Sequence, residues 1–308
     1  GDAYGVNRIG PLVVAVQPDV VVIHNDSWLV KQTVAEGLKD VSPRPPILAW
    51  CPVDAENQRF AGELNDLVDM VACPTAWGVA QMQKGGYTGP TCVIPYGVDT
   101  TIYRPVNRLE ARTALGFPAN AVEGFVVGRA DRNAVRKRYD LTFDYFHEWW
   151  AARGRPTDAF LHCHCAPKDV GWDLIQLAQW YGEAFEQQII FTGLTLEPGE
   201  MVAEANMPQI YSAWNVHAST SLGEGWGLVA HESAACGVPQ ILPDSAAYAE
   251  WMKRAAELVR CSNVSIGINH INTVSQVVDR EAWISAISQA YRDRSWRQSF
   301  GAAALARA

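Results

Sequence analysis

The chain alternates short, continuously apolar runs with longer mixed segments. Pro18 to His24 (PDVVVIH) is apolar almost throughout and flanked by turn formers, the pattern of a strand buried in a parallel sheet. Similar runs at Pro46 to Trp50, Asp69 to Pro74 and Thr91 to Pro95 predict three more strands. Between them, Asn25, Asp26 and Ser27 can cap a helix over Trp28 to Leu38. A second helix is predicted from Glu56 to Val68, and Thr75 caps a third that stops at Gly85 and Gly86. After a short helix from Arg108 to Leu115, strands are predicted at Gly124 to Gly128, Asp158 to His164 and Gln188 to Thr192. Helices are predicted from Tyr139 to Arg153, over most of Asp169 to Tyr181, and within a loop-and-helix stretch from Glu197 to Ser212. Ser245 to Leu258 reads as largely helical, and Asp279 can cap an amphipathic helix to Asp293. Strand and helix in regular alternation predict an α/β protein.

Trp214 to Leu242 (WNVHASTSLGEGWGLVAHESAACGVPQIL) carries the densest chemistry. A strand over Asn215 to Ala218 leads into a polar, glycine-bearing loop from Ser219 to Gly225. An Ala-rich helix starts near Trp226 and ends at Cys236 and Gly237, and Val238 to Leu242 is the next strand. This is one βαβ unit with its loop at the carboxyl end of a strand, where open parallel sheets bind ligands. The N–H groups that begin such a helix suit an anion, phosphate above all. Two acids bracket the helix start, Glu224 in the loop and Glu232 about two turns later.

Basic residues cluster once, between Arg129 and Arg138, directly after the predicted strand at Gly124 to Gly128. A charge run is usually a solvated face. At the carboxyl end of a strand it is also placed to meet an anionic ligand. His162-Cys163-His164-Cys165 invites a zinc reading, but alternate strand positions face opposite ways, so the two Cys and the two His diverge. His217 is expected to be packed in the core and His231 to face away from Glu232. No Gly-x-Gly-x-x-Gly is present, which argues against a dinucleotide-dependent dehydrogenase.

Composition narrows the class. With 308 residues the chain has room for two domains, and 48% apolar content supplies their cores. The net charge of −8 argues against a nucleic-acid binder, which would show a basic face. No run of eighteen apolar residues offers a membrane span, and the first residues lack a basic segment and an apolar h-region. Seven scattered cysteines fit reduced thiols in the cytoplasm better than a disulfide framework.

Ser-Leu-Gly-Glu-Gly-Trp-Gly-Leu, followed by His-Glu and by Ala-Cys-Gly-Val-Pro, resembles the signature of the retaining family 4 glycosyltransferases of the GT-B fold. Pro95-Tyr-Gly-Val-Asp99 with Tyr103-Arg-Pro105 resembles the interdomain junction of the same enzymes. The resemblance implies two Rossmann-like domains facing across a cleft: an acceptor-side domain over 1–104, a linker over 105–122 and a donor domain over 123–308. Only four strands precede the junction and no glycine loop is found there. The acceptor-side domain is therefore expected to be incomplete, and the chain to be a fragment of a longer one, with Ala302 to Ala308 reading as a helix cut short.

By the same resemblance the chain would move a sugar from a nucleotide-diphosphate sugar to a glycan, lipid or small-molecule acceptor, with retention of configuration. Glu224 would contact the donor sugar as the catalytic residue, and Glu232 the ribose. Gly225, Trp226, Gly227 and Leu228 would line the donor site, with the diphosphate held by N–H groups of Gly227 and Leu228 and by Arg132 and Lys137. Arg136 is the neighbour in that pair, and Arg129 is a rival for the role of Arg132. Asp54 would stand on the acceptor side, where the family's histidine has no evident match. No cofactor or metal is expected, since no Asp-x-Asp appears. The expected location is cytoplasmic, peripheral placement at the inner membrane face included. A phosphorylase on the same fold and a non-catalytic sugar-nucleotide binder are the competing readings.

Overall fold

A computed structural model describes residues 2, 4–192, 202–267 and 272–308. The chain divides into two compact units: Gly1–Tyr96 with Gly223–Trp226 and Val264–Ser275, and Gly97–Leu222 with Gly227–Asn263 and Gln276–Ala308. The portion of the predicted stretch Glu197 to Ser212 that precedes residue 202 lies outside the described residues.

In the first unit, α1 (Val6–Val16), β1 (Val21–His24), α2 (Ser27–Gly37), β2 (Ile47–Trp50), β3 (Met70–Cys73), α3 (Ala76–Lys84) and β4 (Thr91–Val93) follow in order. The four strands form a parallel sheet in the order β1-β2-β3-β4. Strand alternation sends Ile23, Ala49, Val71 and Cys73 into one core with Val30 and Val34 of α2 and Met82 of α3. Thr75 caps α3 as expected, its hydroxyl accepting from the Gly78 N–H. On the other sheet face Val22 is 53% exposed, and Met70 is exposed too. The apolar run before His24 is thus an edge strand with one covered face, not the doubly buried strand that its composition suggests.

Two further departures have physical causes. Residues 56–68 form only a 3₁₀ turn at Gly62–Leu64 instead of a helix. Tertiary bonds fix another course: Glu56 N–H donates to Val274 O at 2.8 Å, and Gly62 N–H, which a helix would direct to the Gln58 carbonyl, donates to Gly85 O at 3.0 Å. Asn57 also turns to a positive φ of 62°. Helix α1 has Val6, Ile9 and Val13 at helical spacing, but Gly10 and Pro11 interrupt it with residues that disfavour a helix interior. It forms against α2 and buries Val13 in the shared core.

The second unit continues with α4 (Arg108–Ala114), α5 (Ala119–Val122), β5 (Phe125–Arg129), α6 (Tyr139–Ala152) and β6 (Ala159–Cys163). Next come α7 (Leu174–Trp180), α8 (Glu183–Glu186), β7 (Ile189–Phe191), α9 (Met207–Ser212), β8 (Val216–Ala218) and α10 (Leu228–Ala235). The order ends with β9 (Gln240–Pro243), α11 (Ala246–Trp251), β10 (Glu257–Val259), β11 (Cys261–Ile266), β12 (Val274–Val278), α12 (Arg280–Arg292) and α13 (Arg294–Arg307), with residues 264–266 of β11 and 274–275 of β12 falling in the first unit. Helix α7 starts later than residue 169, and 245–258 ends in the strand β10 instead of continuing as helix. The two-stranded sheet β11-β12 has no counterpart in the sequence reading.

Six strands make an open parallel sheet in the order β10-β9-β8-β5-β6-β7. Both faces are covered. Phe125 and Val127 of β5 join a core with Phe143 and Phe146 of α6 and Trp283 of α12. Val126 between them joins Ala111 of α4, Tyr211 of α9 and Ala235 of α10 on the other face. At Gly128 the Trp214 ring lies so close that an added Cβ would sit 1.8 Å from it, so the strand needs glycine there.

Candidate active site

The strand order of the second unit reverses between β5 and β8: one half of the sheet grows outward from β5 and the other from β8. Ligands of open α/β sheets settle outside the carboxyl ends of the strands at such a switch point. Here that end carries the basic loop after β5 and the polar loop after β8. Backbone and hydroxyl bonds join the two: Leu222 N–H donates to Arg136 O at 3.0 Å, and Thr220 Oγ1 to Arg138 O at 2.7 Å.

Beneath these loops lies a buried charge network. Arg129 is fully buried and grips Asp131 at 2.6 Å, while its other arm donates to Thr142 and Thr220 at 2.7 and 2.9 Å. The guanidinium also rests 4.4 Å over the Tyr139 ring. Lys137 reaches the second Asp131 oxygen at 3.0 Å, with its side chain 13% exposed. Burial alone would raise the Asp131 carboxyl, but Lys137 and then Arg129 outweigh it and hold the acid far below the usual carboxylate range.

Of the predicted cations, the structure brings Lys137 and Arg136 into the loop that meets the β8 side. It does not bring Arg132 there in the same way: that side chain is 66% exposed and holds Asp169 at 2.7 Å. Arg129, the rival, is committed to Asp131 and the two threonines. Arg136 is exposed. Asp131 and Thr220 escaped the sequence reading, although an acid two positions after a strand-ending arginine is a signal that could have found the first.

Helix α10 begins at the predicted loop. Gly227 is its N-cap residue at φ 89°, and a Cβ there would strike the Tyr248 ring at 2.4 Å. Leu228, the first helical residue, is 48% exposed. The opening N–H groups of a helix lack intrahelical partners, which leaves them available to an anion. Glu232, half-buried one turn on, accepts from the Tyr211 hydroxyl at 2.5 Å. Burial pushes its carboxyl up, Tyr211 opposes this, and nearby Glu204 adds to it.

Gly223–Trp226 belong to the first unit. Glu224 is buried, and Gly225 lies so near the Pro52 carbonyl that a Cβ would meet it at 2.6 Å. Trp226 is buried with its ring 6.2 Å from that of Tyr96. Tyr96 in turn stacks on Trp50 at 4.9 Å and hydrogen-bonds His24. His24 and Trp50 are register partners at the last positions of β1 and β2, so this aromatic group crowns the carboxyl ends of the first sheet. Asp54 is half-buried in the following loop. His24 joins this group without any motif to mark it, its place at the end of an apolar strand being the available signal.

The remaining candidates fall into packing roles. Cys163 and Cys165 enter the core beside α6, whereas His162, on the other face, accepts from the Trp214 indole at 2.9 Å. His217 is buried and bonds Gln240 at 2.6 Å, and His231 packs on Trp251. Among the described residues no group of three or more His, Cys, Asp or Glu converges on a metal-sized site. No helix among them is long and apolar enough to cross a membrane.

This architecture has solved counterparts. A sucrose-phosphate synthase from Thermosynechococcus elongatus superposes with a TM-score of 0.74 at 18% identity, over 98% of this chain and 71% of that one. Anabaena HepE in complex with UDP and glucose gives 0.71 at 16%, over 99% and 77%. An S. aureus TarM variant in complex with Fondaparinux, alpha-GlcNAc-glycerol and UDP gives 0.64 at 13%, over 89% and 49%. The chain thus spans between about half and three quarters of these proteins' lengths. The fold is that of the GT-B glycosyltransferases. No curated protein sequence matches the chain significantly. Residues 92–308 match the profile described as family 4 glycosyltransferase in conflict systems, and the chain belongs to that family.

Proposed function

We propose that this glycosyltransferase transfers a sugar from a nucleotide-diphosphate sugar to an acceptor, with retention at the anomeric carbon and without a metal ion. The observation that carries the reading is the switch point of the second unit, where Lys137 and the start of α10 stand at the carboxyl ends of β5 and β8. Cleavage of the donor leaves negative charge on the diphosphate. A cation and preoriented N–H groups that meet this charge stabilise the transition state. Lys137 and the N–H groups of Gly227 and Leu228 take that role, with Arg132 joining them once it leaves Asp169 and Arg136 beside them. Glu232 receives the ribose hydroxyls, oriented by Tyr211. Glu224 contacts the sugar, with Gly225 and Trp226 shaping its pocket. The acceptor is assigned to the first unit, with Asp54 on that side. Retention follows from attack on the face that the diphosphate leaves, the departing phosphate taking the acceptor proton. UDP in the HepE and TarM complexes supports uracil as the first base to test. Free thiols at all seven cysteines support a reducing, cytoplasmic setting.

The test is calorimetric titration of the chain with UDP-sugars, followed by a transfer assay with a chelator present. Saturable binding and transfer that resists the chelator support the reading. Phosphate-dependent cleavage of a disaccharide with no nucleotide bound would identify a phosphorylase instead, and tight donor binding without turnover a non-catalytic binder.

A further inference from the structure

A cavity lies in the second unit, at the opposite end of the strands from the switch point. Gly124, Asn215 and Pro239, which line it, immediately precede β5, β8 and β9, so it opens at the amino ends of these strands. Its volume of about 620 Å³ is within the range of small-molecule sites. Helices α4 and α13 wall it and contribute Arg108, Arg112, Arg294 and Arg297; Glu123 is the single carboxylate in the lining. The lining therefore holds a local excess of three positive charges, in a chain whose net charge is −8.

The guanidiniums are held by neutral oxygens. Arg108 donates to Ser212 O at 3.3 Å and Arg297 to Ala290 O and Tyr291 O at 2.5 and 3.1 Å. Arg112 is structural: it is buried and bonds four backbone carbonyls and Asn215. Carbonyls position a cation without cancelling its charge. Among the described residues none of the four arginines forms an ion pair. Burial and then repulsion from the neighbouring arginines lower Arg108 and Arg297, with Asp293 partly opposing the shift at Arg297. Glu123 and Asp293 offset these charges only in part, and a bound anion would relieve the remainder. The rim has a second character: Val106, Leu109 and Leu305 also line the cavity and are exposed apolar side chains.

We propose that this cavity is a second binding site, distinct from the donor site, for a small molecule that joins a phosphate or diphosphate to an apolar ring. Arg108, Arg294 and Arg297 take the phosphate, and Leu109 and Leu305 cover the ring. The site stands whether or not the donor reading holds, because it shares no residue with it.

Titration of the full chain with pyrophosphate and with ADP tests it, on the wild type and on Lys137→Ala, Arg108→Gln/Arg294→Gln and Leu305→Ala. We expect a pyrophosphate site that Lys137→Ala leaves intact and that the arginine pair weakens at least tenfold. ADP should bind this site more tightly than pyrophosphate, and Leu305→Ala should remove that advantage only. Should the double variant not fold, Arg294→Gln alone serves, since Arg294 makes no hydrogen bond among the described residues and should weaken binding severalfold. Pyrophosphate binding lost with Lys137→Ala and untouched by the arginine changes would overturn the site. Equal affinities for pyrophosphate and ADP would reject its apolar half.

Discussion

Lys137 Nζ lies 3.0 Å from the Asp131 carboxylate, on the oxygen that Arg129 does not take. One buried acid thus holds two cations, and the lysine that would meet a diphosphate is placed by a residue with no need to touch the ligand. Lys137→Ala should weaken UDP binding at least tenfold and uridine binding little, since one hydrogen bond to a charged group contributes about 1.5–3 kcal/mol. Equal losses for UDP and uridine in calorimetry would rule out the clamp.

Asp131→Asn should act differently. It leaves Arg129 buried without its counter-charge, and breaking a buried pair costs about 3–5 kcal/mol. The variant should lose stability in urea unfolding to a far greater degree than Lys137→Ala, whose side chain sits nearer the surface. Equal stability of the two variants would contradict a structural role for Asp131.

The two acids of the loop and helix should separate kinetically. Glu232→Ala should raise the donor Kd at least tenfold, while Glu224→Ala should lower kcat at least tenfold with donor affinity nearly kept. Tyr211→Phe, which removes the 2.5 Å bond to Glu232, should reproduce part of the Glu232 effect. Wild-type affinity and turnover in both acid variants would defeat the assignment.

Buried histidines set a pH dependence. Burial lowers His162 to about 3, with His164 and Arg112 adding to it, and lowers His164 and His217 to about 4. Well above about pH 6.5 all three are neutral in both folded and unfolded chains. Below it the unfolded chain takes up protons that the folded one refuses, so stability falls as pH falls from about 6.5 toward 4. Each histidine contributes a slope of up to about 1.4 kcal/mol per pH unit. Urea midpoints should drop between pH 7.5 and 5.5, and His162→Gln should flatten the slope; a flat wild-type profile would refute the account.

Gly128→Ala tests the close approach of Trp214 to β5. An added methyl 1.8 Å from the ring forces a shift, and overpacking of this kind costs about 1–3 kcal/mol. A melting temperature equal to that of the wild type would show that Trp214 yields freely.

Local information sufficed where the determinant itself is local. Apolar runs bounded by turn residues place β2, β3, β5 and β6 within a residue or two, and Thr75 and Asp279 cap the helices that their side chains suggest. The Ser221 to Pro239 stretch was legible for the same reason: loop, helix and turn all lie within one short segment, and it led to the family. What distant partners decide was not legible. Residues 56–68 lose their helix to bonds from Val274 and Gly85, and β1 becomes a half-covered edge. The Asp131 carboxylate joins two cations only because a tight turn folds residues 135–137 back over it. Tyr211 meets Glu232 across 21 positions because α9 and α10 pack on the same sheet face. Periodicity and capping are written in neighbouring residues, whereas hydrogen bonds between segments depend on which backbone groups the packed sheet leaves within reach, and only the tertiary structure settles that.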